Sequence, residues 1–250
     1  MKNKLSFCFT LIIVLAMLCI SVPSAGAEGI TWSVDNGVLT ITGGDIMVRT
    51  SGNNGEGIES KGTLDITGGT VMVAAYDDAI NSSSDLTISG GNVIAVGINN
   101  DGIDANGNLY IKGGNIIAYG ASGAEAGIDA DESHALYITG GSLFAIGGHI
   151  DVKLGSTSQG LIQGTGSVSA NATVTIANGS TTLATFTVPP YSNSNGTILM
   201  TAQGMSSGSS YTVSINGTSQ NVTATNSISN AMGGGMPGGG MPGGGPGGRY

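Results

Sequence analysis

The 250-residue chain is acidic and rich in glycine, with 16 Asp and Glu against 7 Lys and Arg, and with 45 Gly. A net charge of −9 disfavours nucleic acid and anionic membranes as partners, because both need basic patches. The two cysteines, Cys8 and Cys19, both lie in the first 27 residues, so disulfides cannot stabilise the rest of the chain.

The first 27 residues have the pattern of a secretory signal peptide. Lys2 and Lys4 precede an apolar stretch from Leu5 to Val22, and Ala25-Gly26-Ala27 supplies the small residues of a cleavage site. We therefore expect a secreted protein that has no membrane contact after cleavage. A retained membrane anchor is the alternative, because the apolar stretch approaches the length of a bilayer span.

A repeat of 22 to 27 residues follows the signal segment. It is marked by five Gly-Gly pairs: Gly43-Gly44, Gly68-Gly69, Gly90-Gly91, Gly113-Gly114 and Gly140-Gly141. A Leu-x-Ile sequence stands before each pair, and a second apolar stretch, such as Ile46-Met47-Val48, stands after it. Glycine suits a sharp corner because it reaches positive φ without steric cost. Each unit is therefore predicted as strand, glycine corner, strand and polar turn.

The Leu-x-Ile spacing places Leu and Ile on one face of a strand and the residue between them on the other. The outward residues of the five units are Thr40, Asp65, Thr87, Tyr110 and Tyr137. A unit this short cannot bury its apolar face alone, but stacked units can. The sequence therefore predicts an all-β fold, a parallel β-helix with backbone hydrogen bonds between coils about 4.8 Å apart.

The polar turns are acidic and contain a third short element with an inward isoleucine. Stacking places Glu56, Asp78 and Asp101 in one column and Glu59, Asn81, Asp104 and Asp129 in another. Two carboxylates one coil apart repel by about 3 kcal/mol at an effective dielectric constant near 20. Lys61, Lys112 and Arg49 are too few to balance them, so the columns need a cation.

The ligands on these turns are all oxygen atoms, which favours calcium over magnesium and excludes a Cys/His zinc site. The candidate ligands are Glu56, Glu59, Asp77, Asp78, Asn81, Asn100, Asp101, Asp104, Glu125 and Asp129. Ala126 and Gly55 interrupt the columns at either end. We therefore expect the best site around Asp77, Asp78, Asp101 and Asp104.

These segments resemble a family of bacterial secreted carbohydrate-binding proteins. The resemblance rests on Asp77-Asp78-Ala79-Ile80-Asn81 and Asn100-Asp101-Gly102-Ile103-Asp104, each followed by a Leu-x-Ile-x-Gly-Gly unit, and it covers residues 30–155 firmly. It extends weakly to Val188–Tyr191 and Ser209–Val213, which resemble that domain's closing strands. The resemblance implies a right-handed parallel β-helix similar to pectate lyases, bound calcium, and binding of cellulose and polygalacturonate.

Three functions remain open at this point. The first is a non-catalytic monomer that binds acidic or plant-cell-wall polysaccharide, with Tyr110, Tyr137 and Lys112 as candidate carbohydrate contacts. The second is a calcium-dependent polysaccharide lyase, in which Lys112 or Lys61 would act as the base. The third is a structural matrix protein.

One outward column of the repeats is apolar and would form a stripe on the surface of the solenoid. Its members are Met47, Met72, Ile94, Ile117 and Phe144. We expect other parts of the same chain, such as the strands after Val168, to cover this stripe. An open stripe would instead indicate an interaction surface.

The chain thus divides into four parts. We expect a signal peptide over residues 1–27, the β-helix repeats over 28–155, closing coils and a β cap of the same domain over 156–228, and a disordered Gly/Met/Pro tail over 229–250. Acidic residues occur only between Glu28 and Asp151, so the cap lacks the acidic turn. Its strands are predicted around Thr173–Ile176, Thr185–Val188, Ile198–Met200 and Tyr211–Val213.

Overall fold

A computed structural model describes residues 29–51 and 55–229, and these residues contain strands and turns but no helix. The proposed signal peptide and nearly all of the proposed tail lie outside the described residues. Within the described part of the chain, no helix is long and apolar enough to cross a bilayer.

The solenoid is built from five successive coils of three short strands. The lead-in strand and first coil are β1 (Thr31–Asp35), β2 (Val38–Gly43), β3 (Asp45–Arg49) and β4 (Ile58–Ser60). The second coil is β5 (Thr63–Ile66), β6 (Thr70–Ala75) and β7 (Ile80–Ser82), and the third is β8 (Leu86–Ile88), β9 (Asn92–Gly97) and β10 (Ile103–Ala105). The fourth is β11 (Leu109–Ile111), β12 (Asn115–Tyr119) and β13 (Ala126–Ala130), and the fifth is β14 (Leu136–Ile138), β15 (Ser142–Gly147) and β16 (His149–Asp151).

The remaining strands belong to the end of the solenoid and to the cap. They are β17 (Leu154–Thr157), β18 (Ile162–Val168), β19 (Thr173–Asn178), β20 (Thr181–Thr187), β21 (Asn193–Thr201), β22 (Ser210–Ile215) and β23 (Thr218–Thr223).

Stacking of the coils produces three sheets along the solenoid. Sheet 1 has the order β1-β2-β5-β8-β11-β14-β17, sheet 2 the order β18-β21-β15-β12-β9-β6-β3, and sheet 3 the order β16-β13-β10-β7-β4. Strands of successive coils pair in parallel, while β1, β18 and β21 pair antiparallel to their neighbours. The predicted all-β fold, a parallel β-helix with a C-terminal β cap, is confirmed.

The glycine corners have the predicted backbone geometry. The second glycine of each pair has a positive φ: Gly44 (86°), Gly69 (87°), Gly91 (89°), Gly114 (88°) and Gly141 (76°). The Leu-x-Ile columns line the interior, where Leu64, Ile66 and their counterparts in the next three coils are fully buried. Pairing of like residues across coils, such as Ile103 with Ile80 and Ile128, gives this interior its ladders of aliphatic side chains.

The cap packs on the outer face of sheet 2. Strands β19, β20, β22 and β23 form an antiparallel sheet 4, with the order β20-β19-β22-β23. Val174, Phe186 and Val213 of this sheet form a second hydrophobic cluster with Ile117 and Phe144 of the solenoid. The expected cover over the apolar stripe is therefore present at the fourth and fifth coils.

One expected strand is absent. Val188–Tyr191, predicted from the resemblance as part of a closing strand, is instead a loop between β20 and β21. Pro189 and Pro190 have no backbone N–H to donate to a sheet, which accounts for the break. The loop runs back toward the first coil, where the Arg49 guanidinium donates a hydrogen bond to the Tyr191 hydroxyl over 3.1 Å.

Candidate functional site

Sheet 3 carries the predicted acidic column. The inward isoleucines at 58, 80, 103 and 128 pair from coil to coil, so the residue after each one points outward. The outward residues are in the predicted register: Glu59 pairs with Asn81, Asn81 with Asp104, and Asp104 with Asp129. Four polar side chains thus follow one another along the outside of the sheet.

The column that precedes the isoleucines has a partly structural role. The Asp78 Oδ1 accepts a hydrogen bond from the backbone N–H of Asp101 over 2.9 Å. One coil further, the Asp101 Oδ1 accepts one from the backbone N–H of Ala126 over 2.5 Å. Each of these carboxylates therefore stabilises the turn of the next coil through a hydrogen bond to its backbone.

An amide links the two columns. The Asn81 Nδ2 donates hydrogen bonds to the Asp78 Oδ2 over 3.0 Å and to the Asp104 Oδ2 over 3.2 Å. Both oxygens of Asp78 therefore accept hydrogen bonds from protein donors. Asp77 is likewise engaged, because its Oδ1 accepts a bond from the Asn100 Nδ2 over 2.8 Å.

Three carboxylates converge in the third and fourth coils. Asp101, Asp104 and Asp129 each place one oxygen within 4.8 Å of the other two. We call this group the aspartate triad. It shares Asp101 and Asp104 with the group expected from the sequence and adds Asp129, whose Oδ1 also accepts a hydrogen bond from the N–H of Ala130 over 2.7 Å.

The other candidate ligands are not brought into the triad. Glu59 forms an ion pair with Lys61 in the first coil. Glu56 is half-buried, and its Oε2 has no hydrogen-bond partner among the described residues. Glu125 is half-buried, and its backbone carbonyl accepts a hydrogen bond from the N–H of Gly148 over 2.7 Å.

Burial and mutual repulsion make these acids hard to ionise. Burial raises the pKa of Asp101 to about 8, and the nearby Asp78 and Asp129 add to the rise against the hydrogen bond from Ala126. Burial, followed by Asp78 and Asp129, raises the pKa of Asp104 to about 7. Burial, followed by Asp78, raises the pKa of Glu56 to about 7. The site therefore favours either protons or a cation near neutral pH.

The candidate carbohydrate contacts lie on a different face. Tyr110 and Tyr137 are neighbours on the outer side of sheet 1, with ring centroids 4.9 Å apart and an interplanar angle of 17°. The Lys112 ammonium lies 5.1 Å from the Tyr110 centroid. A Cβ on Gly155 would approach the Tyr137 ring to 2.5 Å, so that ring packs closely against β17. The rings thus stack on each other, and each is also engaged on another side.

Two exposed residues were not singled out from the sequence. Trp32 and Val34 of β1 are 47% and 39% exposed at the N-terminal end of the solenoid. Their pairing with Ile41 and Leu39 places them on the interior side of sheet 1, where no further coil is described beneath them. A single tryptophan in an apolar-polar alternating segment was the signal that could have identified them.

Fold and site together define a β-solenoid with a stacked acidic face and an apolar face that a C-terminal cap covers in part. A family model for carbohydrate-binding domain-containing protein matches residues 24–97 and 39–241, which together span most of the chain. The chain belongs to this family. Searches of curated proteins and of solved structures found no significant match.

Proposed function

We propose that the protein is a secreted, non-catalytic monomer that binds acidic polysaccharide through calcium held on sheet 3. Membership of a carbohydrate-binding family supports a polysaccharide as the partner. The observation that carries the calcium proposal is the convergence of Asp101, Asp104 and Asp129, each with an oxygen within 4.8 Å of the others.

The spacing of the triad suits calcium. Calcium–oxygen distances of 2.3–2.6 Å allow two ligands on opposite sides of one ion to lie about 4.8 Å apart. Three oxygens no more than 4.8 Å apart all lie within about 2.8 Å of one point, so a small side-chain adjustment brings them to calcium–oxygen distances. Carboxylates are also the ligands that a hard cation prefers, and calcium tolerates irregular geometry better than magnesium does.

The triad leaves room for an outside ligand. Asp104 and Asp129 are half-buried and point outward from sheet 3, while Asp101 is 9% exposed and lies deeper. Three carboxylate oxygens fill only part of a coordination shell of six to eight oxygens. Bound calcium would supply the positive charge that joins these carboxylates to a uronate carboxylate of the polysaccharide.

The positions of the lysines support binding over cleavage. A lyase needs a base beside the metal-bound uronate. Lys61 is ion-paired with Glu59 in the first coil, and Lys112 lies on the outer face of sheet 1 beside Tyr110. Neither candidate base is on the strands that form the triad.

Titration calorimetry with galacturonate oligomers tests the proposal. We expect binding in calcium, none in chelator, and at least a tenfold loss for Asp104→Asn or Asp129→Asn. Asp131→Asn is the matched control, because Asp131 is exposed and outside the triad. Equal binding in calcium and chelator would rule out the calcium bridge.

The lyase alternative is tested with the same oligomers. We expect no increase in ultraviolet absorbance from an unsaturated product after prolonged incubation with calcium. Appearance of that product would make the protein an enzyme and would overturn the non-catalytic part of the proposal.

A further inference from the structure

The two ends of the solenoid leave edge strands of sheet 1 open. Sheet 1 begins with β1 and ends with β17, and the described residues place no strand beyond either one. All five residues of β1 are exposed, and β17 is exposed along its middle. An open edge can pair with a further strand, because part of its N–H and C=O groups point away from the sheet.

The β1 end carries exposed apolar side chains. Trp32 and Val34 lie on the interior side of sheet 1 and are 47% and 39% exposed. Removal of residues 1–27 with the proposed signal peptide leaves Glu28 to Ile30 before β1. That segment is too short for a turn and a further strand beneath these side chains.

The β17 end holds an open cavity. Its volume is about 940 Å³, and it lies between β17 and the segment Asn226–Ile228. Ala130 and Val152 belong both to its wall and to the interior core, so the cavity is on the interior side of sheet 1. Pockets above about 300 Å³ accept whole small-molecule ligands, so an indole ring fits in this one.

The register of the coils defines how the two ends would meet. The Leu column of sheet 1 runs from Leu39 in β2 to Leu154 in β17. In β1, Val34 lies opposite Leu39 and Asp35 lies opposite Val38, and β1 runs antiparallel to β2. When the columns continue from one copy into the next, β1 of the second copy therefore pairs antiparallel with β17 of the first.

This register places apolar side chains together on the interior side. Val34 of the second copy lies opposite Leu154 of the first, because both take the Leu position of the column. Trp32 lies opposite Thr157, because both take the Ile position. Thr157 is part of the cavity wall, so the indole of the second copy enters the cavity of the first.

The same register places opposite charges together. Asp35 of the second copy lies opposite Lys153, which precedes Leu154 as Val38 precedes Leu39. Both side chains are exposed, and directly opposed residues of an antiparallel pair have Cβ atoms about 4.5–5.5 Å apart. Basic residues are scarce in this acidic chain, so a lysine at the one position that faces Asp35 identifies a second copy as the partner.

We infer that copies of this chain associate head to tail, with β1 of one copy extending sheet 1 of the next at β17. The contact joins two different surfaces, so it repeats along the axis and gives linear assemblies rather than closed dimers. One strand edge and one tryptophan make a small interface, so the dilute protein stays the monomer of the proposed function. The inference rests on that function only for the removal of residues 1–27.

Sedimentation velocity of the secreted protein over a broad range of concentration, in chelator, tests the contact. We expect the sedimentation coefficient to rise with concentration, and the emission of Trp32, the only tryptophan, to shift to shorter wavelength as its indole becomes buried. Asp35→Lys and Lys153→Asp should each weaken association about tenfold, because like charges then face each other, and the double variant should restore it. Asp65→Lys is the matched control, since it makes the same charge change on the outer face of the second coil.

The contact is wrong if the parent sediments as a single species at every concentration, or if both charge variants associate as the parent does. It is also wrong if association leaves the Trp32 emission unshifted, or if Met72→Asp abolishes association while Asp35→Lys does not. Any of these results, with calcium-dependent galacturonate binding intact, overturns this inference alone. Association without that binding overturns the proposed function alone.

Discussion

Calcium binding at the aspartate triad should release protons, because the ion takes only ionised carboxylates. With pKa values of about 8 for Asp101 and about 7 for Asp104, these groups are about 90% and 50% protonated at pH 7. Calcium binding at that pH should therefore release about 1.4 protons from the two groups.

The same values set the pH dependence of the affinity. Between pH 6 and pH 8, ionisation of the two carboxyls should raise the apparent calcium affinity about 500-fold. Affinity rises with pH because protons compete with the ion, and it levels off above about pH 9, where both groups are ionised.

Calorimetry in two buffers with different ionisation enthalpies counts the released protons directly. Asp104→Asn should lower the count at pH 7 from about 1.4 to about 0.9 or below, since Asp104 no longer titrates and no longer raises the pKa of Asp101. Asp131→Asn should change the count much less, because Asp131 is exposed, a hydrogen bond from Ser133 holds its own pKa low, and its charge raises the pKa of Asp104 less than burial, Asp78 or Asp129 does. A parent count below about 0.3, or an affinity that is equal at pH 6 and pH 8, would refute the reasoning.

Three further predictions concern stability. Folding raises the pKa values of Asp101, Asp104 and Glu56 above their unfolded values near 4, so the metal-free protein should lose stability as pH rises from about 4 to 8. Calcium should restore the Tm at pH 8 but not at pH 5. A Tm in chelator that rises over this range would contradict this prediction. Ile103→Ala should lower the free energy of unfolding by denaturant by about 2–5 kcal/mol, because Ile103 is fully buried. Ile98→Ala should lower it by less than about 1 kcal/mol, because Ile98 is 40% exposed. Equal losses would argue against the buried ladder. Gly102→Ala should lower the free energy of unfolding by at least about 1–3 kcal/mol, because the new Cβ would lie 2.6 Å from the Gly127 carbonyl oxygen. Gly29→Ala should leave it unchanged in the same assay, because a Cβ at Gly29 meets open space.

The repeats could be derived from the sequence because their periodicity restricts them strongly. Shifting a strand by one residue would turn Leu64 and Ile66 outward and Asp65 inward, so only one register buries the ladder. The Gly-Gly pairs then fix where each corner falls. For these reasons the coils and the register of Glu59, Asn81, Asp104 and Asp129 followed from spacing alone.

The cap and the centre of the acidic group depended on contacts that spacing does not encode. The cap strands have no repeat, so nothing in their sequence fixes where the cap ends on the apolar column or that Tyr191 reaches Arg49, 142 residues away. The convergence of Asp129 with Asp101 and Asp104, and the use of both Asp78 oxygens in hydrogen bonds, depend on side-chain orientation rather than on register.

The acidic column of sheet 3 and the apolar column of sheet 2 have a common physical origin in the stacking of like residues. In a parallel solenoid each outward repeat position forms a column, so a residue type that recurs at one position forms a continuous row along the axis. A column of acids accumulates repulsion, which a cation relieves, and a column of Met, Ile and Phe accumulates exposed apolar area, which needs a cover. The cap covers this second column at Ile117 and Phe144 but leaves Met47 and Met72 exposed. The position where the cap ends therefore decides how much of this apolar column stays exposed.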